Sequence, residues 1–307
     1  MKKKKKKPSI GLAKFFDSHV REKQYAYSMS TIANYGTALR SLMRYLGQDD
    51  IAVDALTDDT VAGYQRWLLE QGVCLNTVSC YMRSLRSLCG KAADSGLPPR
   101  QQVFGKAYTG RMKTTKRAIR IDDIERIAHL RLDDGSSLAL TRDVFLFSFC
   151  AMGMPFVDIC HLQKKQIASG YLRYNRKKTG QPVVVRLEKY MRAIIGRYAN
   201  CHPTYVFPLI KASEPADAYA EYLKALGSYN RTLKVLAARA DIDVNLTSYT
   251  PRHSWASIAY GSNVDLPVIS KALGHTNTNT TLTYIKEIDD NRVENANARL
   301  LENLGLT

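Results

Sequence analysis

The chain has 307 residues, enough for two domains with cores of their own, and 45% of them are hydrophobic, which excludes a disordered polyelectrolyte. Its 45 Lys and Arg against 28 Asp and Glu give a formal charge of +17, an excess that persists without the run Lys2–Lys7 and so belongs to the folded body. Such a charge predicts an acidic partner, most often nucleic acid, because each neutralised phosphate releases counterions; a merely soluble basic surface and a membrane-surface binder are the alternatives.

In chain order, the opening "MKKKKKKPSIGLAKFF" reads as a basic tail over residues 1–8, or as an expression tag. Pro8, Lys14 and Asp17 interrupt any apolar stretch long enough for a signal peptide. No later segment approaches a transmembrane span. Residues 9–97 read as helical throughout. In "TIANYGTALRSLMRYL" the residues Ile32, Tyr35, Leu39, Leu42 and Leu46 recur at helical spacing. Thr57 is placed to cap the next helix and Gly72 to end it. Then "LNTVSCYMRSLRSLCGKAADSG" turns Val78, Tyr81, Leu85, Leu88 and Ala92 inward, leaving Arg83, Arg86 and Lys91 for a DNA-binding face. Residues 98–118, rich in Pro, Gly, Thr and base, read as a basic linker.

A second domain is expected over 119–307, opening at "IDDIERIAHL" with Asp122 as a cap. "SLALTRDVFLFSFCAMGM" is apolar nearly all round, the pattern of a buried central helix. One stretch reads as sheet: "YLRYNRKKTGQPVVVRL", a hairpin around Lys-Lys-Thr-Gly-Gln. Helices resume from Glu188. The fold class is therefore mainly α with a small antiparallel sheet (α+β). Cys74, Cys80, Cys89, Cys150, Cys160 and Cys201 lack CxxC spacing, which predicts reduced thiols, a cytoplasmic protein and no structural metal site.

The chemistry gathers near the end. In "TPRHSWAS", Thr250 suits an N-cap and Pro251 a first helical position, setting Arg252 in the first turn beside free backbone N–H groups, where an anion is favoured. Further on, Pro267 opens a short helix and Gly274 closes it. His275 stands in the turn, and Tyr284 follows nine positions later. A guanidinium, an imidazole and a phenol can thus meet at one phosphate. Two short helices around a glycine also suit a helix-turn-helix reader.

Together, "TPRHSWAS" and "LGHTNTNTTLTYI" resemble the tyrosine recombinase (phage integrase) family. The resemblance implies an N-terminal SAM-like core-binding domain and a catalytic domain that cuts and rejoins DNA through a 3′-phosphotyrosine, without a cofactor. Carried over by position, it makes Tyr284 the nucleophile, Arg252 the second catalytic arginine, His275 the late histidine and Lys178 the hairpin lysine, with Lys177 beside it on DNA. His253 is a supporting histidine, and Asp158 in "GMPFVDICHL" stands where an acidic residue is usual. The sequence departs from the pattern in two places. The family's first catalytic arginine falls on Pro155, with Met152 at the alternative position, and Tyr249 occupies a site often held by histidine. Arg142, Arg173 and Arg176 are the candidates to compensate.

The resemblance further implies a clamp on double-stranded DNA and a homo-tetramer on paired sites, with a monomer in free solution. It points to a bacterial or phage-encoded, nucleoid-associated protein acting in integration, excision or inversion. A DNA-binding regulator and a type IB topoisomerase are the competing readings. Leu300, Leu301 and Leu304 are expected to pack in cis or on a neighbouring protomer.

Overall fold

A computed structural model of the chain describes residues 10–23, 27–97, 102–112, 117–212, 215–282, 298 and 301–302. The lysine run, Tyr284, Leu300 and Leu304 lie outside the described residues. The chain divides into two compact units, Met1–Thr114 and Thr115–Thr307.

The first unit holds α1 (Leu12–Glu22), α2 (Met29–Leu46), α3 (Asp58–Glu70) and α4 (Leu75–Asp94). Each start has a local cause. Ser28 Oγ accepts from Thr31 N at the head of α2, and Thr57 Oγ1 accepts from Thr60 N at the head of α3, as its position predicts. Gly47 and Gly72 turn left-handed after α2 and α3, a conformation that costs glycine little. Leu39 and Leu42 of α2 share one core with Val78, Leu85 and Leu88 of α4, each apolar side chain contributing about 1.5–3 kcal/mol.

The expected linker departs from its reading. Val103 and Phe104 are buried in this core, and the strand of chain that follows is tied down. Tyr108 N donates to Gln65 Oε1 at 2.7 Å, Ser79 Oγ donates to the Gly110 carbonyl at 2.7 Å, and Asn76 exchanges two hydrogen bonds with Met112. A composition rich in Gly, Lys and Thr hid two apolar anchors.

The second unit contains α5 (Ile121–Ala128), α6 (Ser137–Cys150), α7 (Phe156–Cys160), a sheet of β1 (Ile167–Ala168), β2 (Tyr171–Asn175) and β3 (Pro182–Arg186), then α8 (Lys189–Arg197), α9 (Pro215–Arg239), α10 (Thr250–Gly261), α11 (Leu266–Ala272) and α12 (Asn279–Leu282). α6 is the expected central helix: Val144, Phe145, Leu146 and Phe147 are all buried, and α5, α7, α8, α9 and α10 pack around it. The antiparallel sheet runs β1-β2-β3, with Leu172 opposite Val185 and Tyr174 opposite Val183 on the buried face. Alternation of buried and exposed residues in β2 and β3 gives the period-two signal legible in the sequence; β1 has two residues, too few to show one. Asp122 is not the cap of α5. Arg120 occupies that position, and the carboxylate of Asp123 accepts from its backbone N at 3.0 Å.

Candidate active site

Two helix ends and one hairpin turn build the site. α10 begins at Thr250 with Tyr249 as its N-cap residue, one position earlier than the sequence suggests, so Pro251 is the second helical residue. Thr250 does not cap the helix: its hydroxyl accepts from Thr247 N at 2.9 Å, closing the preceding turn. Arg252 nevertheless occupies the first turn and is only 2% exposed. Its Nη1 donates to the Gly153 carbonyl at 2.8 Å, and its Nη2 donates to the Leu273 carbonyl at 2.6 Å. Gly153, in the turn after α6, has φ +71°, and a Cβ there would stand 2.8 Å from Arg252 Cα. Only glycine admits that approach.

The turn after α11 supplies the imidazole. His275 N bonds the Ser270 carbonyl and Gly274 N bonds the Lys271 carbonyl, the paired bonds of a Schellman cap, with Gly274 at φ +63°. This cap fixes His275 at the second position past the C-cap residue Leu273. Arg252 Nη2 meets His275 Nε2 at 2.8 Å, and His275 Nδ1 meets Thr281 Oγ1 at 2.8 Å. Because a guanidinium only donates, Nε2 accepts; the ring proton therefore sits on Nδ1 and is donated to Thr281. Burial, followed by the charges of Arg252, Arg176 and Lys178, pushes His275 down to about 4, so the ring is neutral at pH 7.

The hairpin brings the remaining cations. Arg176 N donates to the Gln181 carbonyl and Gly180 N to the Arg176 carbonyl, closing the turn that carries Lys177 and Lys178, both exposed. Arg176 is buried. Its Nη1 donates to the same Leu273 carbonyl that Arg252 uses, and its Nε lies 3.1 Å from Asp158 Oδ2. Asp158, on α7, also accepts from Lys177 N at 2.9 Å, so one carboxylate holds the arginine and the turn. Burial raises the Asp158 carboxyl, opposed by the Lys177 N–H and by the charges of Arg176, Arg252 and Lys177. Thr179 Oγ1 donates to the Gly274 carbonyl at 3.3 Å, and a Cβ on Gly274 would stand 2.9 Å from Arg176 Cγ. Hairpin and helix cap thus interlock.

Arg252, His275, Arg176 and Lys178 share this locus. His253 neighbours Tyr249, whose ring is 6.3 Å away and half exposed. Arg142 does not join them: its Nε pairs with Asp143 at 3.0 Å and its Nη1 donates to the Leu130 carbonyl. Arg173 points outward on β2, its guanidinium 5.1 Å from the Tyr171 ring. In the first unit Arg83 is exposed, with Nε 3.3 Å from the Ser79 carbonyl. Arg86 donates to the Phe104 carbonyl at 2.9 Å, and Lys91 lies 4.8 Å from the centre of the Tyr27 ring. These last two therefore also hold their own unit together. Sequence reasoning missed Thr281 and the Leu273 carbonyl; the carbonyl has no sequence signal, and a threonine in a Thr-rich run has a weak one. Gly153 and Gly274 carried a signal, as glycines among apolar neighbours.

A model described as the phage integrase SAM-like domain matches residues 11–106, and one described as the phage integrase family matches residues 117–290. Tyrosine recombinase XerD of Halalkalibacterium halodurans is 24% identical over 276 residues, spanning 87% of this chain and 90% of the relative. The protein of the same name from Staphylococcus aureus is 23% identical over 272 residues, covering 84% and 88%. Among solved structures, a lambda integrase(75-356) dimer bound to a COC' core site overlays with a TM-score of 0.67 at 15% identity, covering 90% of this chain and 95% of that one. The Tn1549 transposon integrase in complex with transposon right end DNA gives 0.64 at 13%, covering 95% and 99%.

Proposed function

The chain belongs to the phage integrase family, and from that premise we propose that it performs site-specific recombination on double-stranded DNA through a covalent 3′-phosphotyrosine formed by Tyr284. The observation that carries this reading is the convergence of Arg252, from α10, and His275, after α11, with hairpin cations on one carbonyl-lined locus. An enzyme acting on phosphodiesters needs that convergence; a helix-turn-helix reader does not.

The chemistry follows from the groups. The Tyr284 oxygen attacks phosphorus, the bond to the 5′ oxygen breaks, and that oxygen takes a proton from Lys178 on the exposed hairpin turn. A phenol with a reference pKa near 10 needs help to lose its own proton. Neutral His275 accepts it once Arg252 turns its Nη2 from the ring to a non-bridging oxygen. Arg252 then faces charge spreading over those oxygens, a contribution of about 10²–10³ in rate for such a preorganised donor. Tyr249, exposed at the head of α10, contributes a hydroxyl to the same phosphate, and His253 steadies it. On DNA, Lys177 contacts backbone beside the cut, and Arg83, Arg86 and Lys91 offer charge from the first unit.

The protein works as a homo-tetramer on paired sites and is a monomer when free; one similar solved structure is a lambda integrase tetramer bound to a Holliday junction. It acts in the cytoplasm on the nucleoid, and no described helix is long and apolar enough to cross a membrane. Integration, excision and inversion share this chemistry.

The test is incubation with a nicked duplex taken from the DNA flanking its own gene. A denaturant-resistant, protease-sensitive adduct that Tyr284→Phe abolishes is the expected result. DNA binding without an adduct would mean a regulator, and relaxation of any supercoiled plasmid a topoisomerase.

A further inference from the structure

In this chain the family's first arginine position holds Pro155, the N-cap residue of α7, and Met152 stands before Gly153. Neither carries charge. We propose that Arg176, at the end of β2, is a catalytic residue that supplies the second guanidinium to the scissile phosphate. This rests on the recombinase reading.

Three observations carry it. Arg176 and Arg252 come from distant parts of the chain yet donate to one oxygen, the Leu273 carbonyl, so their guanidiniums are neighbours. Two like charges side by side in a buried setting repel, and an anion bridging them relieves that cost. Second, Arg176 is held from behind: Nε faces Asp158 and Nη1 faces Leu273, which leaves Nη2 with no acceptor among the described residues. A fork anchored on one edge and open on the other is the geometry that takes a phosphate oxygen without further ordering. Third, the fold reserves the space. Gly274 lacks the Cβ that would stand 2.9 Å from Arg176 Cγ and 3.1 Å from Val183 Cγ2. The electrostatics agree, since Arg176 joins Arg252 in keeping His275 neutral.

The other arginines do not meet these conditions. Arg142 is anchored in a similar way, on Asp143 and the Leu130 carbonyl, but neither is the Leu273 carbonyl that Arg252 uses, and Arg173 lies along the exposed face of β2 with Nη1 3.5 Å from the Ala168 carbonyl.

The experiment compares wild type, Arg176→Ala and Arg176→Lys in single-turnover cleavage of a nicked duplex bearing the protein's own site. The scissile group is either the ordinary phosphodiester or a methylphosphonate, which removes one negative charge from the reacting phosphate. Arg176→Ala is expected to slow phosphodiester cleavage by about 100-fold with unchanged DNA affinity. Most of that loss should vanish on the methylphosphonate, where there is less charge to stabilise. Equal losses on both substrates would make Arg176 a positioning residue only, and no loss on either would remove it from the reaction. If Arg176→Ala does not fold, Arg176→Lys keeps the charge but loses the fork and is judged by the same two-substrate comparison. Failure of wild type to form an adduct sinks the recombinase reading itself. A wild-type adduct alongside an undiminished Arg176→Ala sinks only this inference.

Discussion

Asp143 and Asp158 are both buried carboxylates of the second unit that hold arginines, yet the two clusters are built for different ends. Around Asp143 everything converges on the carboxylate: Arg142 Nε at 3.0 Å, Arg197 Nε at 2.9 Å and the Tyr198 hydroxyl at 2.9 Å. That cluster ties α6 to α8 and the turn after it. Around Asp158 the carboxylate anchors Arg176 and the hairpin turn, while the contacts that orient Arg252 are with the Gly153 and Leu273 carbonyls and the neutral His275 ring. Asp158 offsets part of the Arg176 charge while leaving its other edge open, and the carbonyls around Arg252 orient that guanidinium and leave its charge available. The difference separates the locus at which the proposed function places the phosphate from a purely structural cluster, which burial alone does not do, since Arg252 is as deeply enclosed as a core leucine.

The contrast breaks most sharply when each cluster loses a member. Arg252→Ala should lower single-turnover cleavage by about 10²–10³. Asp143→Ala should leave cleavage per folded molecule near wild type while costing about 3 kcal/mol of stability, because a buried guanidinium loses its counter-charge. Cleavage rates read beside thermal midpoints check both, and a crossed result would erase the distinction.

Acidity gives a smaller effect that sharpens it. His275 sits at about 4 when folded, against 6.5 in its ordinary state. Between those values the unfolded chain takes up the proton first, so stability present above pH 6.5 is lost as pH falls towards 4. The difference in thermal midpoint between pH 7 and pH 4 should therefore be larger in wild type than in His275→Gln. Matching pH profiles would mean that the ring is not held neutral. The smallest effect is expected at Arg173, on the exposed strand face. Arg173→Ala should change stability by no more than about 0.5 kcal/mol, and cleavage little, in the same two assays.

Much of this was legible in the residues. Helical spacing in "TIANYGTALRSLMRYL", the all-apolar face of "SLALTRDVFLFSFCAMGM" and the alternation either side of Lys-Lys-Thr-Gly-Gln each encode an element whose pattern depends on neighbours a few positions away. The Leu-Gly-His turn is local too, because a left-handed residue closing a helix all but requires glycine. Errors arose where a local pattern had two readings: Thr250 has the chemistry of a cap but bonds the turn before it, and the basic stretch after Leu97 hid Val103 and Phe104.

By itself, then, the sequence determined the element types, the two cores and the set of groups able to act on a phosphate, since these follow from period, composition and side-chain chemistry along a short length of chain. Only the tertiary structure decided which of three arginines stands beside Arg252. Arg142, Arg173 and Arg176 are equivalent as residues. Their settings separate because a carbonyl 97 residues from Arg176 comes within its reach while Asp143 captures Arg142 and the β2 pleat turns Arg173 outward. Contacts between such distant positions depend on how whole elements pack, and no short stretch of sequence encodes that.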